Sequence, residues 1–197
     1  MNFIIVNLGK IFYLVKRFSN YCLKNYQKGK FKGIGKNVYI GDYCHFTEKN
    51  IIIGDNVYIG RNCIFQSTHG LIKIGNNVMI GPGCHIHGGN HEFKKIGYYI
   101  NEITKNNNCW DGEIVIEEDC WIGANTIILK GAKIGKGSVI GAGSIINREV
   151  PPYSLYVGSP PMNIKIKKRF SEEEIKEHEN ILLMRKNEKE TNYFNNF

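Results

Sequence analysis

The chain has 197 residues, of which 42% are hydrophobic, 12% aromatic and 22% charged. That balance suits one globular domain with a helical appendage and excludes a disordered or collagen-like chain. The 26 Lys and Arg outnumber the 18 Asp and Glu, and the whole excess lies in residues 1–41, where Lys10, Lys16, Arg17, Lys24, Lys28, Lys30, Lys32 and Lys36 meet no acid.

A helix is predicted over residues 3–28, because Ile4, Leu8, Ile11, Val15, Phe18 and Cys22 recur at alternating steps of four and three. Its basic character points to nucleic acid or to an anionic membrane surface. No nucleic-acid motif accompanies it, so no nucleic-acid partner is expected. The apolar run of residues 1–15 falls short of the ~20 residues of a membrane span and carries Lys10. No small-residue cleavage site follows it and no Asn-x-Ser/Thr site occurs. The expected location is therefore cytoplasmic, with peripheral contact at the inner face of the membrane. The apolar stripe is expected to cap the fold that follows, with weak, reversible contact to an anionic membrane as an added role.

From residue 34 the chain repeats. Ile-Gly recurs with a six-residue step at Ile34-Gly35, Ile40-Gly41, Ile53-Gly54, Ile59-Gly60, Ile74-Gly75, Ile80-Gly81, Ile122-Gly123, Ile134-Gly135 and Ile140-Gly141. Phe46, Phe65, Ile86, Ile116, Ile128 and Ile146 fill further beats without the glycine. Grouped in threes, the beats make coils starting at 34, 53, 74, 116 and 134. The fold class is mainly β, a parallel β-helix of about five coils, in which each coil buries its isoleucines only by stacking on the next. The glycines are expected to supply positive φ at tight corners. Cys44, Cys63, Cys84 and Cys120 fall on the fifth beat with Val38, Thr126, Ala132 and Ser138. They read as small packing residues, with neither disulfides nor metal ligands expected.

Residues 88–113 break the rhythm as a long excursion between the third and fourth coils. Pro151-Pro152 and Pro160-Pro161 are expected to end the repeat. Residues 171–189 form a charged helix opened by the capping box Ser171-x-x-Glu174. The expected partition is thus 1–33, a helix and basic linker; 34–170, the β-helix with its excursion; and 171–197, the C-terminal helix and tail.

The stretches IGNNVMIGPGCHIHGGNH (74–91) and EDCWIGANTIILKGAKIGKGSVIGAGSIINREVPPYSLYVGSPP (118–161), with the loop between them, resemble the hexapeptide-repeat acyltransferases. The likeness spans residues 34–168 and is nearest to the branch of maltose, galactoside and polysaccharide O-acetyltransferases. It implies a left-handed β-helix, a homotrimer, acetyl-CoA as acyl donor and a carbohydrate acceptor, such as a bacterial surface polysaccharide unit. His91 stands where that family has its catalytic histidine. The same matching carries acetyl-CoA contacts onto Ala124, Ala142, Asn147, Arg148 and Lys165; no metal is expected.

The chemistry is consistent with those residue types. A sugar hydroxyl must lose its proton as it attacks a thioester, and a neutral imidazole is the usual base. Donors must hold the oxyanion. His91 is the expected base, oriented by Glu92, Asn90 or a carbonyl. Asn90, His69, Tyr98, Tyr99 and Trp110 are the expected acceptor-binding residues, the aromatics offering faces for a sugar. Arg148, Lys165, Lys167, Lys168 and Arg169 suit the phosphates of coenzyme A, and Trp121 either walls the site or decorates a corner. His45, His85 and His87 read as packing or loop contacts, and His178 as solvated. Competing readings are a γ-type carbonic anhydrase, which needs three histidines round a metal, an N-acetyltransferase of nucleotide-linked amino sugars, and a catalytically dead scaffold.

Overall fold

The computed structural model describes residues 3–103, 111–158 and 171–185, apart from 175, 178 and 182. They fall into two compact units: Met1–Gly89 with Asp111–Pro160, and Asn90–Trp110 with Pro161–Phe197.

The first unit is a solenoid of short parallel strands on three faces. The first face stacks Gly33–Ile34, Ile51–Ile53, Ile72–Ile74, Ile114–Ile116, Lys133–Ile134 and Glu149–Val150. The second stacks Tyr39–Ile40, Tyr58–Ile59, Met79–Ile80, Trp121–Ile122, Val139–Ile140 and Leu155–Tyr156. The third stacks His45–Phe46, Ile64–Gln66, His85–His87, Ile127–Leu129 and Ile145–Ile146. Register puts like on like, as in Ile53↔Ile74 and Ile80↔Ile122. The inward isoleucines therefore form columns, each fully buried side chain contributing about 1.5–3 kcal/mol.

The solenoid has a partial sixth coil where five were expected. Val150 pairs with Ile134, and Tyr156 with Ile140, so the chain keeps winding through Pro151 and Pro152. Inward Val150 follows inward Ile146 at a step of four, so the six-residue count loses the beat there. The excursion between strands His85–His87 and Ile114–Ile116 has the length expected.

The Ile-Gly glycines have a different purpose from the one expected. None has positive φ; the left-handed corner positions are Asn37, Asn56, Asn77, Asp119, Gly137 and Tyr153 at one corner, and Tyr43, Asn62 and Asn125 with Gly83 and Gly143 at the next. The amides of Asn37, Asn56 and Asn77 form a ladder of 3.1 Å hydrogen bonds between coils. The Ile-Gly glycines are required because coils approach too closely for a side chain. A Cβ on Gly81 would lie 2.6 Å from the Ala124 nitrogen.

The fifth-beat cysteines pack inside the corners, and the thiols of Cys63, Cys84 and Cys120 reach carbonyls of Gly81, Gly123 and Gly135 on the next coil. Burial holds the Cys120 thiol above its ordinary value, which keeps it protonated and unreactive.

Helix α1 (Phe3–Lys28) precedes the solenoid, and its last turns hold the first coil. Lys24 pairs with Asp42 at 2.6 Å, Lys28 donates to the Val38 carbonyl at 2.7 Å, and Gln27 donates to Glu48 at 3.1 Å. The end of the core is closed by Phe31, tilted against Phe46, which in turn meets Phe65. The apolar stripe of α1 does not cap the coil as expected. No residue of α1 is buried, because the polar face of its last turns makes the contacts. No helix among the described residues is long and apolar enough to cross a membrane.

In the second unit, the described residues of 172–185 are helical. The capping box forms as expected: Ser171 N–H donates to Glu174 at 2.7 Å, and Glu174 N–H donates to the Ser171 hydroxyl at 3.2 Å.

Candidate active site

The corner between the second and third faces carries one outward residue per coil: Asp42, Arg61, Pro82, Ala124 and Ala142. The column shrinks toward the last coils. Glycines beneath bring the coils together, and a Cβ on Gly123 would lie 2.5 Å from the Ala142 nitrogen. The Gly143 N–H donates to the Ala124 carbonyl at 2.8 Å. Ala124 is half-buried and Ala142 exposed, which leaves a shallow, backbone-walled corner that a thin chain such as pantetheine can follow. Asn147 and Arg148 follow the last strand of the third face and are exposed, with Arg148 Nε donating to Asn147 Oδ1 at 3.4 Å. Lys165, Lys167, Lys168 and Arg169 lie outside the described residues.

Where the third face gives way to the excursion, the solenoid builds a tight frame. The Ser67 hydroxyl donates to the Gly70 carbonyl at 2.6 Å, and the Thr47 hydroxyl accepts the Ser67 N–H at 2.8 Å. Gly88 has no room for a side chain, since a Cβ would meet the Ser67 hydroxyl at 2.4 Å. One Asp111 carboxylate oxygen accepts the backbone N–H groups of both Thr68 and His69, each at 2.9 Å. His69 is thus anchored by its backbone while its ring stays exposed. Asp111 was not singled out from the sequence. Its partners lie more than forty residues away, and the only local hint is its place at the return of the excursion, before Gly112.

His85 and His87 point outward from one strand, ring centroids 5.6 Å apart. Burial, and then the charge of His85, hold the His87 imidazole below its ordinary value. Trp121 is exposed on the second face.

In the second unit, Asn90 and His91 open the excursion and both are exposed. Glu92, one candidate to orient the imidazole, accepts the N–H groups of Phe93 at 2.9 Å and Lys94 at 2.7 Å, so it shapes the loop backbone. The Tyr98 ring is faced by the Lys95 ammonium at 3.8 Å and the Arg185 guanidinium at 4.6 Å. Arg185 also pairs with Glu102 at 2.9 Å and donates to the Gly97 carbonyl. Tyr98 therefore serves as an anchor between excursion and C-terminal helix, and Tyr99, at 52% exposure, is the freer aromatic surface. Trp110 lies outside the described residues.

Two family models match the chain: bacterial transferase hexapeptide (six repeats) over residues 113–148, and the hexapeptide repeat of succinyl-transferase over residues 50–86. A galactoside O-acetyltransferase of Lactococcus lactis is 30% identical over 77% of this chain and 70% of its own length. A chloramphenicol acetyltransferase of Morganella morganii is 32% identical over 78% of this chain and 81% of its own. Among solved structures, a hexapeptide-repeat acetyltransferase of Vibrio cholerae in complex with acetyl-CoA superposes with a TM-score of 0.60 at 31% identity, covering 72% of this chain and 73% of the other. Repeat, solenoid and relatives agree, and the chain belongs to the hexapeptide-repeat acetyltransferases, built on a left-handed parallel β-helix.

Proposed function

We propose that the protein moves an acetyl group from acetyl-CoA to a hydroxyl of a carbohydrate, a bacterial surface polysaccharide unit or its precursor, with His91 as general base. Acetyl-CoA is the acyl donor of this acetyltransferase, in keeping with the acetyl-CoA complex of a fold neighbour and with its acetyltransferase relatives. The observation that carries the reading is His91 itself, an exposed imidazole four residues beyond the strand His85–His87; the resemblance of the sequence is what matches it to the family's catalytic histidine.

The neutral imidazole takes the proton of the acceptor hydroxyl as its oxygen attacks the thioester carbonyl. The tetrahedral intermediate then collapses, the acyl carbon–sulfur bond breaks, and the coenzyme A sulfur takes the proton from the imidazolium. No acyl-enzyme is needed. The corner at Ala124 and Ala142 lets the pantetheine arm lie close to the backbone, with Asn147, Arg148 and Lys165 toward the nucleotide end. Asn90, His69, Tyr98, Tyr99 and Trp110 bind the acceptor, Tyr98 by positioning the loop. The enzyme works as a homotrimer in the cytoplasm.

Loss of a general base lowers rate by about 10²–10⁴-fold. His91→Ala is expected to lose that much kcat in a thiol-release assay while keeping its melting temperature and its affinity for coenzyme A; near-normal turnover refutes the assignment. The Morganella relative favours a second reading, a non-carbohydrate alcohol as acceptor. An acceptor panel of glycans and chloramphenicol separates the two.

A further inference from the structure

The N-terminal helix carries a surface that acetyl transfer does not use. At 100° per residue, Ile4, Leu8, Ile11, Val15 and Phe18 run down the middle of one face of α1, and Phe12 lies toward its edge. The run from Ile4 to Phe18 is about 21 Å long at 1.5 Å per residue. Every one of these side chains is exposed, from 49% at Leu8 to 71% at Phe12. An apolar face of this length left in water marks an interaction site.

The contacts of α1 explain why the face is open. Lys24, Lys28 and Gln27 grip Asp42, the Val38 carbonyl and Glu48 of the solenoid. These three residues lie on the opposite, polar side of the helix. Gripping by that side holds the apolar side away from the first coil. The bases are placed with equal consistency. Lys10 borders the apolar face on one side and Lys16 on the other, and no acid occurs before Asp42.

We infer that the apolar face of α1 is a docking surface for an anionic lipid bilayer, lying along the surface with the flanking bases among the headgroups. Charge selects this occupant. An acidic bilayer supplies, in one partner, an apolar interior for the phenylalanines and isoleucines and negative charge for the bases beside them. The same face of a second copy would bring matching apolar side chains together but set bases against bases. A helix without a span-length apolar run lies in the interface instead of crossing it. Polar grip on one side and lipid on the other make α1 the adaptor between the solenoid and the membrane. The inference rests on α1 alone and is independent of the reaction assigned to His91.

Flotation of the full chain with phosphatidylglycerol–phosphatidylcholine vesicles, against phosphatidylcholine alone, tests it. The expected result is recovery with the acidic vesicles at low salt, loss of most of it at 0.5 M salt, and little recovery with neutral ones. Phe12→Glu with Phe18→Glu, both on exposed side chains, is expected to lower acidic-vesicle recovery at least tenfold with the far-ultraviolet dichroism and solution mass unchanged. Lys10→Glu with Lys16→Glu is expected to lower it several-fold. Equal, negligible recovery of the wild type from both vesicles overturns the inference. So does a fall in solution mass of the Phe12/Phe18 variant, which assigns the face to a second copy.

Discussion

His87 shows how a single residue's surroundings become a property of the whole chain. Its ring is half-buried on the third face beside His85, and both burial and that neighbour disfavour its charged form. The folded imidazole therefore takes a proton less readily than the unfolded one, whose value is about 6.5. Stability is full above that value and falls as pH drops through it, because the unfolded chain binds the proton first. His87→Gln is expected to flatten the dependence of the melting temperature on pH between 7.5 and 5.5; an unchanged slope contradicts the account. His91 and His69 are both exposed, so the roles proposed for them rest on the chemistry of the imidazole.

At the scale of the element, the coil corner is the unit that carries the fold, and the proposed acetyl-CoA groove is built on it. Gly81 supports the Ala124 rung and Gly123 the Ala142 rung, with the next backbone at 2.5–2.6 Å from where a Cβ would stand. Gly81→Ala must push the coils apart at a point where strands of the second face are in register. Overpacking of this kind costs about 1–3 kcal/mol, so the variant is expected to melt several degrees lower. Its KM for acetyl-CoA is expected to rise, because the corner proposed to hold the pantetheine arm moves. Wild-type values for both would show that the rungs yield freely. The hexads, α1 and the Ser171–Glu174 capping box were legible because each is a local pattern, repeating every six, four or three residues. The sixth coil was not, since Val150 comes four residues after Ile146 and a proline pair follows it.

For the whole molecule, the outward side of the second face carries Tyr39, Tyr58, Met79, Trp121, Val139 and Leu155 in register. The Tyr39 and Tyr58 rings stack at 5.0 Å, and Trp121 and Leu155 are exposed. A lateral apolar row of this kind suits contact between subunits. Light scattering at micromolar concentration is expected to give three times the 22.5 kDa of one chain. Met79→Glu with Leu155→Glu is expected to lower that mass. A wild-type monomer would contradict the trimer and leave the row in water.

The sequence by itself determined the solenoid, its inward isoleucines, the 88–113 excursion and the candidate base, because period and punctuation are written within a few neighbouring residues. Only the tertiary structure decided what joins distant positions. Asp111 holds the His69 turn from forty-two residues away, and Arg185 ties Glu102 and the Tyr98 ring to the C-terminal helix across more than eighty. It also decided that α1 grips the first coil with its polar side, which the stripe alone cannot say. A helical period reports that one face is apolar, whereas three contacts in space report which way that face looks. Pairings across long separations depend on how the coils stack, and no local pattern of residues encodes that.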